Sequence, residues 1–114
     1  MPITIANNSP LSWSSAEGFA LSYHWLDRAS AVVIWDGRRS VLPHAVPAGE
    51  TVSLVAVVEA PRLPGEYLLS WDVVQEGVLW LSETDPTPGD PVAVKVAASH
   101  AFSVVEASPP RVMV

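Results

Sequence analysis

Five tryptophans in 114 residues are the side chains best suited to recognition chemistry, because an exposed indole offers a broad, rigid apolar face on which a sugar ring can stack or a partner protein can anchor. Trp13, Trp35 and Trp80 stand in or beside loop-like stretches and are read as binding residues, with core lids as the plainer role. Trp25 and Trp71 run in phase with other large apolar residues and are read as structural. Arg38 and Arg39, the only adjacent basic pair, follow Trp35 closely. They would suit an anionic sugar or carboxylate, or simply keep a hairpin tip soluble.

The residues for other chemistry are sparse. His24, His44 and His100 lack a histidine partner two or four positions away and cysteine is absent, so the three or four converging ligands of a zinc site are not expected. Glu83, Asp85 and Asp90 carry carboxylates but not the regular spacing and central glycine of a calcium loop, and read as a solvated acidic turn. There is no G-x-S-x-G nucleophile elbow. Ser70, His24 and Asp72 would meet if their strands were neighbours, but such polar residues are ordinary on the outer face of a sandwich strand. Paired glycosidase carboxylates need a cleft that so small a sandwich is not expected to form. No catalytic residue, metal or cofactor is therefore expected.

The composition bounds the partners. Twelve acidic and six basic side chains give a formal charge of −6, which disfavours nucleic acid, whose binding depends on several Lys or Arg neutralising phosphates. The longest apolar runs, 31–35 and 54–58, are five residues each, against the roughly 20 that a membrane-spanning helix requires. The first ten residues, MPITIANNSP, lack the basic start and apolar stretch of a signal peptide. With no cysteine a reducing compartment is permitted; the location stays open, with the cytoplasm favoured.

The elements that would position these side chains are strands. Segment 3–7 alternates briefly and closes on Asn7, Asn8, Ser9 and Pro10. From Phe19 to Trp25 the pattern is strict: Phe19, Leu21, Tyr23 and Trp25 face one way, Ala20, Ser22 and His24 the other. A β-branched run at 31–35 leads to Asp36-Gly37, read as a tight hairpin turn at positive φ. Segment 51–59 has Val52, Leu54, Ala56 and Val58 on one face, with Val55 and Val57 on the other, as if covered on both sides. Strands are also read at 66–75, 78–81 and 92–96. Gly65 and Tyr67 open the 66–75 strand as a tyrosine corner, and Leu69 stands where antibody domains carry a disulfide cysteine. The fold expected is all-β: an immunoglobulin-like antiparallel β-sandwich of about seven to eight strands, without a disulfide. It would occupy 1–98, lacking its first strand, with 99–114 as a C-terminal extension or tail.

In order and spacing, Asn8-Ser9 with Trp13, LSYHW at 21–25, VVIWDG at 32–37, PAGE at 47–50, Ala60-Pro61 and PGEYLLSWDVVQEGVLW at 64–80 resemble the four-tryptophan, immunoglobulin-like domains of selective autophagy receptors. They more closely resemble a bacterial version appended to glycosyltransferases and methyltransferases. The resemblance spans most of the chain, although the family's leading strand and a counterpart for 99–114 are missing. It implies a β-sandwich accessory domain without catalysis of its own, used for recognition or assembly. The expectation is a non-catalytic module of a larger bacterial protein that binds carbohydrate or an adjacent domain. The alternative is a structural or assembly domain, including a homodimer through an open sheet edge.

Overall fold

The strict alternation of 19–25 and 66–75 builds the centre of the molecule. The computed structural model describes residues 1–84, 91–98, 103–106 and 111–113. In it, β2 (Phe19–Leu26) and β5 (Gly65–Gln75) pair antiparallel, from Phe19 opposite Gln75 to Leu26 opposite Leu68. This register puts Leu21, Tyr23, Trp25, Leu69, Trp71 and Val73 on one buried face.

Around that pair the larger sheet runs β3 (Val32–Ile34), β2, β5, β7 (Val92–Ala98), β8 (Ser103–Glu106), and β6 (Leu79–Trp80) pairs with the end of β5. The smaller sheet has β1 (Pro2–Ala6) at its centre, antiparallel to β4 (Thr51–Val55) and parallel to β9 (Arg111–Met113). Ile3, Ile5 and Val52 of the smaller sheet close one core with Leu21, Trp25, Leu69 and Val73 of the larger. The protein is thus an all-β sandwich without a disulfide. Within segment 99–114, β8 extends the larger sheet beyond β7 and β9 flanks β1.

Three readings of the sequence need correction. Asp36-Gly37 is not the tip of a hairpin. Ile34 pairs with Trp25, the Gly37 N–H donates to the Tyr23 carbonyl at 3.1 Å, and Ser40 pairs with Leu21, so the chain bends at Trp35 and Asp36 and runs on beside β2. Gly37 does not have a positive φ; it is required by close approach, since a Cβ there would lie 2.7 Å from Tyr23 Cδ2. The strand read at 51–59 stops at Val55, and its outer face is open: Val55 is 74% exposed and Val57 is exposed as well. Finally, 78–81 is extended only at Leu79–Trp80. The chain then turns into a single helical turn, α1 (Leu81–Thr84), because the Ser82 N–H and hydroxyl are drawn to Asp72.

Candidate functional site

The outer face of β2, polar in sequence, is where the site forms. His24 and Asp72 lie diagonally across the β2–β5 ladder, with Ser70 opposite His24 and Ser22 opposite Asp72. His24 Nε2 meets Asp72 Oδ2 at 2.8 Å, with 3% and 1% of their side chains exposed. The second ring nitrogen, Nδ1, hydrogen-bonds the Trp35 carbonyl. Each ring nitrogen is thus directed at an oxygen, which fixes the orientation of the ring. Asp72 also accepts from the Val73 N–H at 2.8 Å, from the Ser82 N–H at 3.2 Å and from the Ser82 hydroxyl at 2.5 Å. A carboxylate that accepts four hydrogen bonds can be buried, and here it ties β5, β2 and α1 at one point.

This pair carries an aromatic floor. The Trp35 indole stacks on His24 with centroids 3.6 Å apart and planes 12° from parallel. Trp80 leans against His24 at 4.6 Å and meets Trp35 edge-on at 5.5 Å. With His24 stacked on it and Trp80 against it, Trp35 is still 40% exposed. The two indoles open into a pocket of about 340 Å³ whose rim carries Asp36, Arg39, Glu76 and Glu83.

Arg39 is held inside that rim. Its guanidinium lies 4.8 Å above the Trp80 ring, Nη1 meets Asp36 Oδ1 at 2.6 Å and donates to the Gly37 carbonyl at 2.6 Å, and Nε donates to Glu76. Burial lowers its pKa, but hydrogen bonds to Glu76 and Asp36 and the charges of both carboxylates outweigh burial and raise it above the usual guanidinium value. Arg39 is therefore a cation whose guanidinium is engaged by two carboxylates. Arg38 does not join it; its side chain is exposed and faces Glu59 at 3.7 Å.

Of the tryptophans read as surface anchors, Trp35 and Trp80 come together here and Trp13 does not. Trp13 is fully buried: its backbone exchanges two 2.9 Å hydrogen bonds with Val46, and its Nε1 donates to Ser9 Oγ at 3.2 Å. Its serine-rich surroundings in sequence cover it instead of exposing it. Asn7 holds that corner, donating to the Leu11 and Val46 carbonyls at 2.8 and 2.9 Å and accepting from Ser9.

The residues read as structural sit elsewhere. Trp25 and Trp71 lie in the core, and Trp25 Nε1 donates to the Glu59 carbonyl at 2.9 Å. The Tyr67 hydroxyl donates to the Leu63 carbonyl at 2.7 Å, and Gly65, at φ +156°, holds a conformation that side chains rarely adopt. His24 and Asp72 meet, but the serine that joins them is Ser82 and not Ser70. The order is serine, carboxylate, imidazole, so the hydroxyl gives its hydrogen to the carboxylate and, among the described residues, makes no hydrogen bond to an imidazole, unlike a nucleophilic triad.

Among the described residues no group of three His, Asp or Glu side chains is arranged to hold a metal ion, and Asp85, Asp90 and His100 lie outside those residues. Among the described residues, too, no helix is long and apolar enough to cross a membrane. No family model, curated protein or solved structure matches the chain.

Proposed function

We propose that this chain is a non-catalytic recognition module of a larger bacterial protein, and that it binds an oligosaccharide on the exposed part of Trp35. One observation carries this reading: an accessible indole is backed by a buried, fully hydrogen-bonded imidazole and set into a pocket with polar groups on its rim. The backing matters, because a platform that is already immobile loses little conformational entropy when a sugar ring settles on it. Carboxylates at the rim supply acceptors for sugar hydroxyls while the indole covers the C–H face.

Replacing Trp35 by Ala tests the proposal. Because the side chain is partly exposed, the variant should keep a melting temperature near that of the parent while losing about tenfold or more in affinity for oligosaccharides that quench tryptophan fluorescence in the parent. If a broad glycan panel leaves the parent's spectrum unchanged, the carbohydrate reading fails.

A second reading has its own observation. Val32 and Val33 on the edge strand β3, and Val55 and Val57 at and beyond the end of β4, are exposed apolar side chains on a molecule with few charges. They suit an adjacent domain or a second copy, and under this reading the module serves assembly.

A further inference from the structure

We infer that the Trp35–Trp80 pocket selects sugars bearing a positive charge, namely amino sugars with a free ammonium group, over their neutral and acidic counterparts. The inference rests on the recognition reading above and names its ligand class.

The first ground is the charge at the rim. Three carboxylates, Asp36, Glu76 and Glu83, stand against one guanidinium, Arg39, so three negative charges less one positive leaves two negative. Arg39 compensates Asp36 and Glu76 jointly, while Glu83 is exposed and makes no ion pair among the described residues. An anion entering the pocket would meet surplus carboxylates, and the cation that could receive it is already engaged by two of them.

The second ground is independent of that count. The protein already seats a cation in this environment, since the Arg39 guanidinium rests over the Trp80 ring and is held by flanking carboxylates. Trp35 meets Trp80 in a T-shaped contact and is 40% exposed in the same pocket. An ammonium on a sugar stacked there would find the same combination of indole face and nearby carboxylate. An N-acetyl group at that position removes the charge, and a uronic acid reverses it.

The experiment is a fluorescence titration of the full chain with three tetrasaccharide probes, one each of glucosamine, N-acetylglucosamine and galacturonic acid, at a pH where the glucosamine amine is protonated. The glucosamine probe should bind about tenfold or more tighter than the N-acetylated one at low salt, and the galacturonic probe weakest. The preference should shrink at high salt, because exposed charges are screened over a Debye length of about 10 Å or less. Glu83→Gln, which removes a charge and keeps a carbonyl acceptor at an exposed position, should reduce the preference for the glucosamine probe severalfold.

Equal or tighter binding of the N-acetylated or acidic probe would overturn the charge inference and leave the recognition reading standing. Binding of none of the three, together with a silent glycan panel, would overturn both. Binding of a lysine- and arginine-rich peptide in place of every sugar would assign the pocket to a protein partner and reject the amino-sugar assignment.

Discussion

Two tyrosines show how the same hydroxyl takes a different value from its surroundings. The Tyr67 hydroxyl donates to the carbonyl of Leu63, a residue exposed enough that water can replace the bond. The Tyr23 hydroxyl accepts from the Glu59 N–H at 2.8 Å, beside a ring that is itself buried between Trp25 and Trp71. Removing Tyr23's oxygen leaves a partly buried donor without its acceptor, whereas removing Tyr67's returns a carbonyl to solvent. Tyr23→Phe should therefore cost about 1–3 kcal/mol and Tyr67→Phe roughly 0.5 kcal/mol, measured by denaturant unfolding of the two isosteric variants. Equal costs would mean that solvent access does not set the difference. The corner tyrosine is recognisable in sequence because it follows a glycine at a strand start. Tyr23's role is not, because its partner lies 36 residues away, past the end of β4 where the chain leaves the sheet.

At the scale of elements, the legible parts are those with one buried face. The strict alternation of β2 and β5 correctly separates Tyr23 and Trp25 from Ser22 and His24. Alternation cannot show that the polar face is buried too, since its cover comes from the bent run 35–40 and from α1, whose side chains follow no period. The turn reading of Asp36-Gly37 failed for the same reason. The dipeptide favours positive φ, yet here it is the missing Cβ of Gly37 that permits the close approach to Tyr23. Asp72 joins these elements, so its removal and the removal of one of its donors should differ sharply. Asp72→Ala strands His24 and two backbone N–H groups and should cost about 3–5 kcal/mol, with the Trp35 and Trp80 emission shifting as their support loosens. Ser82→Ala removes one hydroxyl donor and should cost about 1 kcal/mol, with little spectral change. Similar costs for the two would show that the carboxylate does not act as the junction.

For the molecule as a whole, the question is how a sandwich of this size manages its edges. The smaller sheet would have two strands without β9, leaving one side of β1 unpaired; the parallel pairing of Thr4, Ile5 and Ala6 with 111–113 fills that side. In the larger sheet, 103–106 pairs along β7 in the same way. The β9 pairing is not legible because a short apolar segment after two prolines looks alike whether it is a tail or an added strand, and because its partner, β1, is at the opposite end of the chain. The edge strand β3 of the larger sheet is three residues long, which limits its use as a template for another chain. A truncation ending at Ala98 should therefore uncover β1 and β7 together. The expected outcome is a lower melting temperature and a concentration-dependent sedimentation coefficient, because unpaired strand edges recruit a second chain. A truncated chain that melts and sediments as the full chain does would show that β8 and β9 add neither stability nor edge protection, and the exposed valines of β3 and β4 would become the better account of any assembly.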